Sequence, residues 1–539
     1  MAKLIVLVSG SVGVGKSTLV RTLEEHFDTR TLKTREVLLE LASRKRRKLA
    51  SERMALQEFG EKIDRDTNGA WVLSALKNVV LGANEDAIVV VDAVRILEQI
   101  RQIRRAYGFQ VKHVHLTAPK QILESRYAER TTASVQELQS YAQVKENPTE
   151  ARVEELQESA DIVIDTSLCT EQDVFTRVSS HLGLYPRDYH RLVDVLVGGQ
   201  WGSEGKGHIA SYLAPEYSLL VRVGGPNAGH KVFLADTPYT HHQLPSGTLR
   251  SQAKLMIAAG AVLNAEKLLT EIADCKVDNE RLSIDPQAMI ISQADIAHEK
   301  RLVANIGSTG QGVGYASARR ITGRGTGVKL ARDVRDLAPF IRDSWEILEK
   351  AYQCGDKVLI EGTQGPGLSL YHGTYPHVTS RDTSVSGALS EAGVPPARIR
   401  KVIMTCRSYP IRVQSPQAKG KTSGDMGIEI DWKIVSNRSR VNLNQLKTTE
   451  RTSTTNRDRR VAEFNWSMLR RAAALNGPTD IALTFADYIS SQNEKARRFD
   501  QLTSETITFI EEIERVAAAP VSLISTRFGF RSIIDRRAW

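Results

Sequence analysis

Short apolar runs alternate along this chain with longer stretches in which apolar residues recur at helical spacing. Leu4–Val8, Ala87–Asp92, Val111–Leu116 and Asp161–Asp165 are rich in Val and Ile and too short for helices, so they predict buried strands. Thr18–Phe27, Ser51–Asp64 and Lys120–Arg130 carry the helical period between them. Strands and helices in alternation predict a parallel sheet with helices on both faces. The alternation fades near Leu182, and Leu184–His190 reads as a connector. A new strand followed by a glycine-rich turn then opens at Leu192. The expected architecture is α/β, with two P-loop-type units over residues 1–183 and 192–539, each a mainly parallel sheet flanked by helices.

Composition narrows the function classes. Among 539 residues, 25% are charged and 41% hydrophobic, which excludes a mainly disordered chain. The net charge of +10 suits anionic substrates. No interleaving of aromatic and basic residues supports nucleic-acid binding, and none is expected. Cys169, Cys275, Cys354 and Cys406 are scattered without a CxxC pair, which excludes a disulfide scaffold and a zinc ribbon. Apolar runs are strand-sized, and glycines interrupt the first of them early. Neither a membrane span nor a signal peptide is expected, and the cytoplasm is the expected compartment.

Chemistry enters at the glycine-rich turns. Gly10-Ser-Val-Gly-Val-Gly15-Lys16-Ser17 fits the pattern GxxxxGK(S/T), between an apolar strand and a helical run. In that setting backbone N–H groups turn inward around phosphates and the helix N-terminus adds positive potential. Gly10, Gly15 and Thr18 belong to the cradle, Lys16 is placed to reach the β- and γ-phosphates, and Ser17 to ligate Mg2+. Asp92 ends an apolar strand and reads as a metal-side carboxylate or as a strand-end cap. Arg126 and Arg130 share a helical face and read as a phosphate clamp or as a solvated charged face. Thr34, Arg35 and Arg95 are weaker positions for an acceptor's phosphate. Over about residues 1–180 the chain resembles small P-loop nucleotide kinases, of the nucleoside monophosphate kinase and dephospho-coenzyme A kinase kind. That likeness rests on the phosphate loop, Ile88–Asp92 with Ala-Val-Arg95, the Arg-rich helix after Ala118-Pro119, and Ala160–Asp165.

The second unit carries Gly198-Gly-Gln-Trp-Gly-Ser-Glu-Gly-Lys-Gly207, then Gly224-Gly-Pro-Asn-Ala-Gly-His230, then Gln243-Leu-Pro-Ser-Gly247. These turns present Lys206, Asn227 and His230 near one strand edge: a cation, an amide and a possible acid beside backbone donors for phosphate. Four further blocks follow in order: Ile306–Gly314 (IGSTGQGVG), Glu361–Gly365 (EGTQG), His372–Ser380 (HGTYPHVTS) and Thr454–Arg457 (TTNR).

Together these blocks resemble the adenylosuccinate synthetase family over nearly all of 192–539. The resemblance implies a two-step ligation. A nucleoside triphosphate phosphorylates the six-oxygen of a purine nucleotide, and the amino group of L-aspartate then displaces the phosphate. It implies that Lys206, with Gly202, Glu204, Gly205 and Gly207, holds the triphosphate, and that His230 is the acid. Ser203, Lys206 and Gln364 complete the catalytic set, and Ser203 and the Gly229 carbonyl lie toward Mg2+. Asn227, Thr309, Gln364 and Thr379 would hold the nucleotide. Thr454, Thr455 and Arg457 would clamp the aspartate carboxylates, for which an arginine fork is well suited. Arg319 or Arg320 would reach a neighbouring subunit's nucleotide, which implies a homodimer.

Two positions depart from the family pattern. Its opening motif, WGDEGKGK, has an Asp where this chain has Ser203, and a hydroxyl lacks that carboxylate's basicity. This change resembles the phage 2-aminoadenylosuccinate synthetases, which take dGMP. Ser408–Val413 and the compact length of 192–539 resemble that subfamily and the short archaeal forms. The family's guanine-reading TKLD is Thr484-Phe-Ala-Asp487 here, so Asp487 is kept and Phe485 replaces the lysine. IMP or (d)GMP, L-aspartate, and ATP or GTP are the expected substrates of a bifunctional ligase and nucleotide kinase. The alternative is a nucleotide-sensing regulator on a degenerate ligase fold.

Overall fold

The computed structural model describes residues 4–44, 53–129, 141–142, 147–185, 190–234, 237–324, 326–414, 423–452, 457–527, 529 and 532–537. The chain divides into two compact units, Met1–Arg187 and Asp188–Trp539.

The first unit is built on five strands, β1 (Leu4–Gly10), β2 (Thr29–Leu32), β3 (Ile88–Val91), β4 (Val111–Thr117) and β5 (Ile162–Asp165). They form one parallel sheet in the order β2-β3-β1-β4-β5. Ile5 and Leu7 pack into one apolar cluster, and Val6 and Val8 into another. A strand covered on both faces must be apolar at every position, which is why β1 and β3 read as unbroken runs. β2 does not read that way. It is an edge strand, and its Thr29, Arg30 and Thr31 remain partly or fully exposed. Helices α1 (Lys16–His26), α2 (Thr34–Arg44) and α3 (Arg53–Thr67) lead away from the sheet.

The second unit centres on a nine-stranded sheet. From one edge to the other it runs Leu282–Ile284, Lys254–Ile257, Leu219–Arg222, Val358–Glu361, Val193–Gly198, Ile399–Arg407, Asp480–Thr484, Val521–Ser525 and Ile533–Asp535. Every neighbouring pair is parallel except the last. The inner strand Val193–Gly198 sends Val193, Val195 and Val197 into one core and Leu196 into the other. Its carboxyl end opens into the glycine-rich turn, where an open parallel sheet presents ligands. No helix among the described residues is long and apolar enough to cross a membrane.

Candidate active sites

In both units a glycine in the left-handed region caps the helix that begins with the lysine. Gly15 has φ 98° before Lys16, and Gly205 has φ 84° before Lys206. Side chains are strained at such angles, so the glycines permit the turn that aims backbone donors at an anion.

In the first unit a cavity of about 680 Å³ lies over the phosphate loop. Gly15, Lys16, Ser17, Thr18, Asp92, Arg35, Arg95 and Arg126 all line it. Gly10 lies behind it and accepts a hydrogen bond from Lys16 Nζ at 2.5 Å. Asp92 Oδ1 accepts from the backbone N–H and hydroxyl of Thr34, at 2.9 and 2.8 Å, so Asp92 holds the start of α2 while still facing the cavity. Arg126 donates to the hydroxyl and carbonyl of Thr166. Arg130 lies outside the described residues.

In the second unit a cleft of about 530 Å³ gathers Gly202, Ser203, Glu204, Gly205, Lys206 and Gly207 from the first turn. Asn227, Gly229, His230, Thr309, Gln364, Thr379 and Arg457 join them from the other blocks. Lys206 is buried and paired with Glu204 at 2.5 Å. The other Glu204 oxygen accepts from the Gly202 and Gln200 backbones at 2.7 and 3.1 Å, which fixes the turn. Gly207 admits His230: a Cβ there would stand 2.7 Å from the His230 Cβ.

His230 is held from behind. Its Nδ1 lies 2.5 Å from Glu361 Oε1 and 2.6 Å from an Arg222 nitrogen. Glu361 also takes Arg222 at 2.8 Å, the Ser246 backbone N–H at 2.7 Å and the Ser246 hydroxyl. Burial would raise the Glu361 carboxyl, but Arg222 and His230 outweigh it and hold it well below the ordinary range. Burial and Arg222 push His230 down to about 4 against the pull of Glu361. A neutral ring donating Nδ1–H to an ionised Glu361 leaves Nε2 for chemistry.

Two amide oxygens mark where a ligand belongs. Asn227 Oδ1 and Gln364 Oε1 are buried in this cleft without a hydrogen-bond partner among the described residues, a costly state unless a ligand supplies the donor. Asn227 Nδ2 reaches the Thr379 hydroxyl at 3.5 Å, joining two of the sequence blocks. At the other end, Arg459 and Arg407 are both paired with Glu450, at 3.0 and 2.9 Å. Arg457 makes no ion pair among the described residues and faces the cleft. Thr454 and Thr455 lie outside the described residues.

Three expected residues stand away from the cleft. Arg319 is folded onto Asp295 at 2.6 Å and onto the Ile290 carbonyl, and Arg320 onto the Ala259 and Gln287 carbonyls. Neither lines the cleft of its own chain. Asp487 is buried and does not line the cleft, as Phe485 does, and burial pushes the Asp487 carboxyl up to about 8. Sequence reasoning passed over Arg222, Glu361, Arg407, Arg412 and Glu450. Glu361 and Arg412 lie inside blocks already singled out, whereas Arg222 and Arg407 show only as arginines that close apolar strands.

The adenylosuccinate synthetase family model matches residues 195–333 and 328–494. The chain belongs to the adenylosuccinate synthetase family. Adenylosuccinate synthetase of Pyrococcus horikoshii is 36% identical over 351 residues, 64% of this chain and 98% of that one. The Methanocaldococcus jannaschii enzyme is 36% identical over 351 residues, 64% of this chain and 96% of its own. Among solved structures, the succinoaminodeoxyadenylate synthetase (PurZ) of cyanophage S-2L, bound to dGMP and to dATP as an energy donor, matches with TM-score 0.55 and 26% identity. It covers 65% of this chain and 96% of that one. The fully ligated Plasmodium falciparum adenylosuccinate synthetase matches with TM-score 0.54 at 22% identity, covering 64% and 100%, and shows the shared fold. An AAA domain model matches residues 5–163. This is a ligase of the adenylosuccinate synthetase family preceded by a P-loop domain.

Proposed function

We propose that the ligase unit joins L-aspartate to a guanine (deoxy)nucleoside monophosphate, and that the P-loop unit is a nucleotide kinase. The observation that carries the first part is Ser203. It sits in the cleft, exposed, with φ 59°, on the loop that carries Lys206. A small neutral hydroxyl there leaves room for a two-amino group and does not oppose it with a metal-bound carboxylate. The cyanophage relative bound to dGMP supports the same reading.

On this reading Lys206 and the 202–207 turn bind the triphosphate, and Asn227, Thr309, Gln364 and Thr379 bind the purine nucleotide. His230, braced by Glu361, moves a proton at Nε2 as the six-oxygen is phosphorylated. A bound phosphate favours the protonated ring, against the burial that keeps it neutral. Arg457 binds a carboxylate of aspartate, since Arg407 and Arg459 share Glu450 while Arg457 makes no ion pair among the described residues. Phe485 lines the cleft where the family has a lysine, and Asp487, neutral near pH 7, offers no carboxylate to a guanine edge. An adenine triphosphate is therefore the donor.

Mg2+ would neutralise phosphate charge in both sites. Ser17 and Asp92 would hold it in the first, Ser203 and the Gly229 carbonyl in the second. These are hard oxygen donors. No cluster of three or more His, Cys, Asp or Glu that could hold a metal occurs among the described residues. The test is mass spectrometry of products after incubation with aspartate, ATP or GTP, and IMP, GMP or dGMP in turn. A succinylated guanine-derived product supports the reading. Nucleotide binding without consumption of aspartate would instead identify a sensor.

A further inference from the structure

The first cavity extends well beyond the phosphate loop, and its far end has a chemistry of its own. Helix α3 presents Gln57 and Asp64 to it, seven positions apart and so on one face. Asp64 Oδ1 is saturated: Trp71 Nε1 donates to it at 2.6 Å and Gln99 Nε2 at 2.9 Å. Gln99 is itself fixed, because its Oε1 accepts the Arg95 backbone N–H at 2.9 Å. Asp64 Oδ2 makes no hydrogen bond among the described residues. Gln57 Nε2 is buried and has no hydrogen-bond partner among the described residues. Glu61 stands one helical turn from Asp64, with Oε1 taken by Asn147 at 2.6 Å and Thr149 at 3.2 Å. Leu38, Leu56 and Trp71 supply flat apolar walls around these groups.

A fixed acceptor and an unmatched donor between apolar walls fit the edge of a planar heterocycle. The carboxylates outnumber the amide, so the edge must be rich in donors. Guanine offers N1–H and N2–H2 side by side for the two lone pairs of Asp64 Oδ2, and O6 for Gln57 Nε2. Adenine offers one donor group there, and hypoxanthine lacks the two-amino group. Arg35 and Arg95 also line the cavity, Arg95 paired with Glu150 at 2.6 Å, and would face the phosphate of such a nucleotide. We infer that the first unit binds a guanine nucleoside monophosphate as its phosphoryl acceptor, with Asp64 and Gln57 reading the base. This rests on the kinase reading above. In the step itself, a phosphate oxygen of the acceptor attacks the γ-phosphorus of the triphosphate. The bond from that phosphorus to the β–γ bridging oxygen breaks, and two nucleoside diphosphates form.

The full chain is incubated with ATP and Mg2+, without aspartate, and with GMP, dGMP, IMP, AMP or CMP. With ATP labelled in the γ-phosphate, labelled diphosphate is measured; the ligase reaction leaves only unlabelled ADP. Expected is Lys16-dependent formation of GDP or dGDP in preference to the other diphosphates. Asp64→Asn, isosteric but presenting an N–H to the guanine donors, should raise the KM for the guanine nucleotide roughly 10- to 100-fold and leave the KM for ATP unchanged. Gln57→Leu should act in the same direction. If AMP, IMP or CMP is used as well as GMP, or if the folded Asp64→Asn protein keeps the guanine preference, the base assignment is wrong and the kinase reading stands. If the wild-type protein phosphorylates none of the five, the kinase reading fails and takes this assignment with it.

Discussion

The Arg407 guanidinium donates to the backbone carbonyl of Ser203 at 3.2 Å, from a position sealed off from solvent. Arg407 is itself held by Glu450 at 2.9 Å and lies over the Phe485 ring at 4.0 Å from its centroid. The strained backbone of residue 203 is thus fixed from beneath, whatever side chain it carries.

Ser203→Asp therefore changes the group facing the purine without reshaping the turn. The wild-type protein should prefer GMP or dGMP to IMP, and the variant should shift toward IMP by roughly 10- to 100-fold in relative kcat/KM. Steady-state turnover with the three nucleotides checks this. A wild-type preference for IMP would refute the guanine reading.

Lys16→Ala removes the cation that the first unit aims at phosphate. Phosphoryl transfer by that unit should fall to background, while succinylated product forms at the wild-type rate. Both can be followed in one reaction by chromatography. Loss of ligation in a variant with intact fold would show that the two activities are not separable.

Arg457→Lys keeps the charge and loses the planar fork. The KM for aspartate should rise about tenfold or more, with little change in the KM for the purine nucleotide. Equal effects on both would remove Arg457 from the aspartate site.

Glu361→Gln leaves Arg222 buried without its counter-charge and His230 without its orienting carboxylate. Such a loss destabilises by about 3–5 kcal/mol. Thermal unfolding should shift to a clearly lower temperature, and ligation should slow in protein that remains folded. An unchanged unfolding temperature would mean that Glu361 is not the ionised centre of this network.

Asp487 gives a pH signature. Its carboxyl has its ordinary value near 4 once unfolded and about 8 when buried in the fold. The folded state therefore holds a proton that the unfolded chain releases, and stability is lost as pH rises between those values. Relative to Asp487→Asn, the wild-type protein should lose stability steadily from about pH 4 to about pH 8 and no further above that. Unfolding midpoints of both forms across this range test it. Parallel curves would show that Asp487 is already ionised in the fold.

Much of this molecule is legible from sequence because its two sheets are parallel and covered. β1, β3, β4 and β5 announce themselves as apolar runs, and the phosphate loops as glycines beside a lysine. The edge strand β2 escapes because its exposed Thr and Arg carry no apolar signal. In the cleft, residues that touch ligand travel in recognisable blocks, and the structure brings Asn227, His230, Gln364, Thr379 and Arg457 together. The residues that brace them are scattered. Glu450 is separated from Arg407 by 43 positions and Glu361 from His230 by 131, so no local pattern links them. Asp487, expected at the nucleotide, is buried and does not line the cleft, whereas Phe485 does.

The closed pair of Lys206 and Glu204 has a consequence for ionic strength. Salt screens charges that water can reach, over about 8 Å under physiological conditions, and leaves a dry pair almost untouched. Lys206 is cancelled locally before any nucleotide arrives, so it contributes little to the field felt from solution. That field comes from the cleft-wall arginines that water reaches, Arg451 and Arg457. Added salt should slow the entry of nucleotide and aspartate through those arginines, while the internal shape of the 202–207 turn stays as it was.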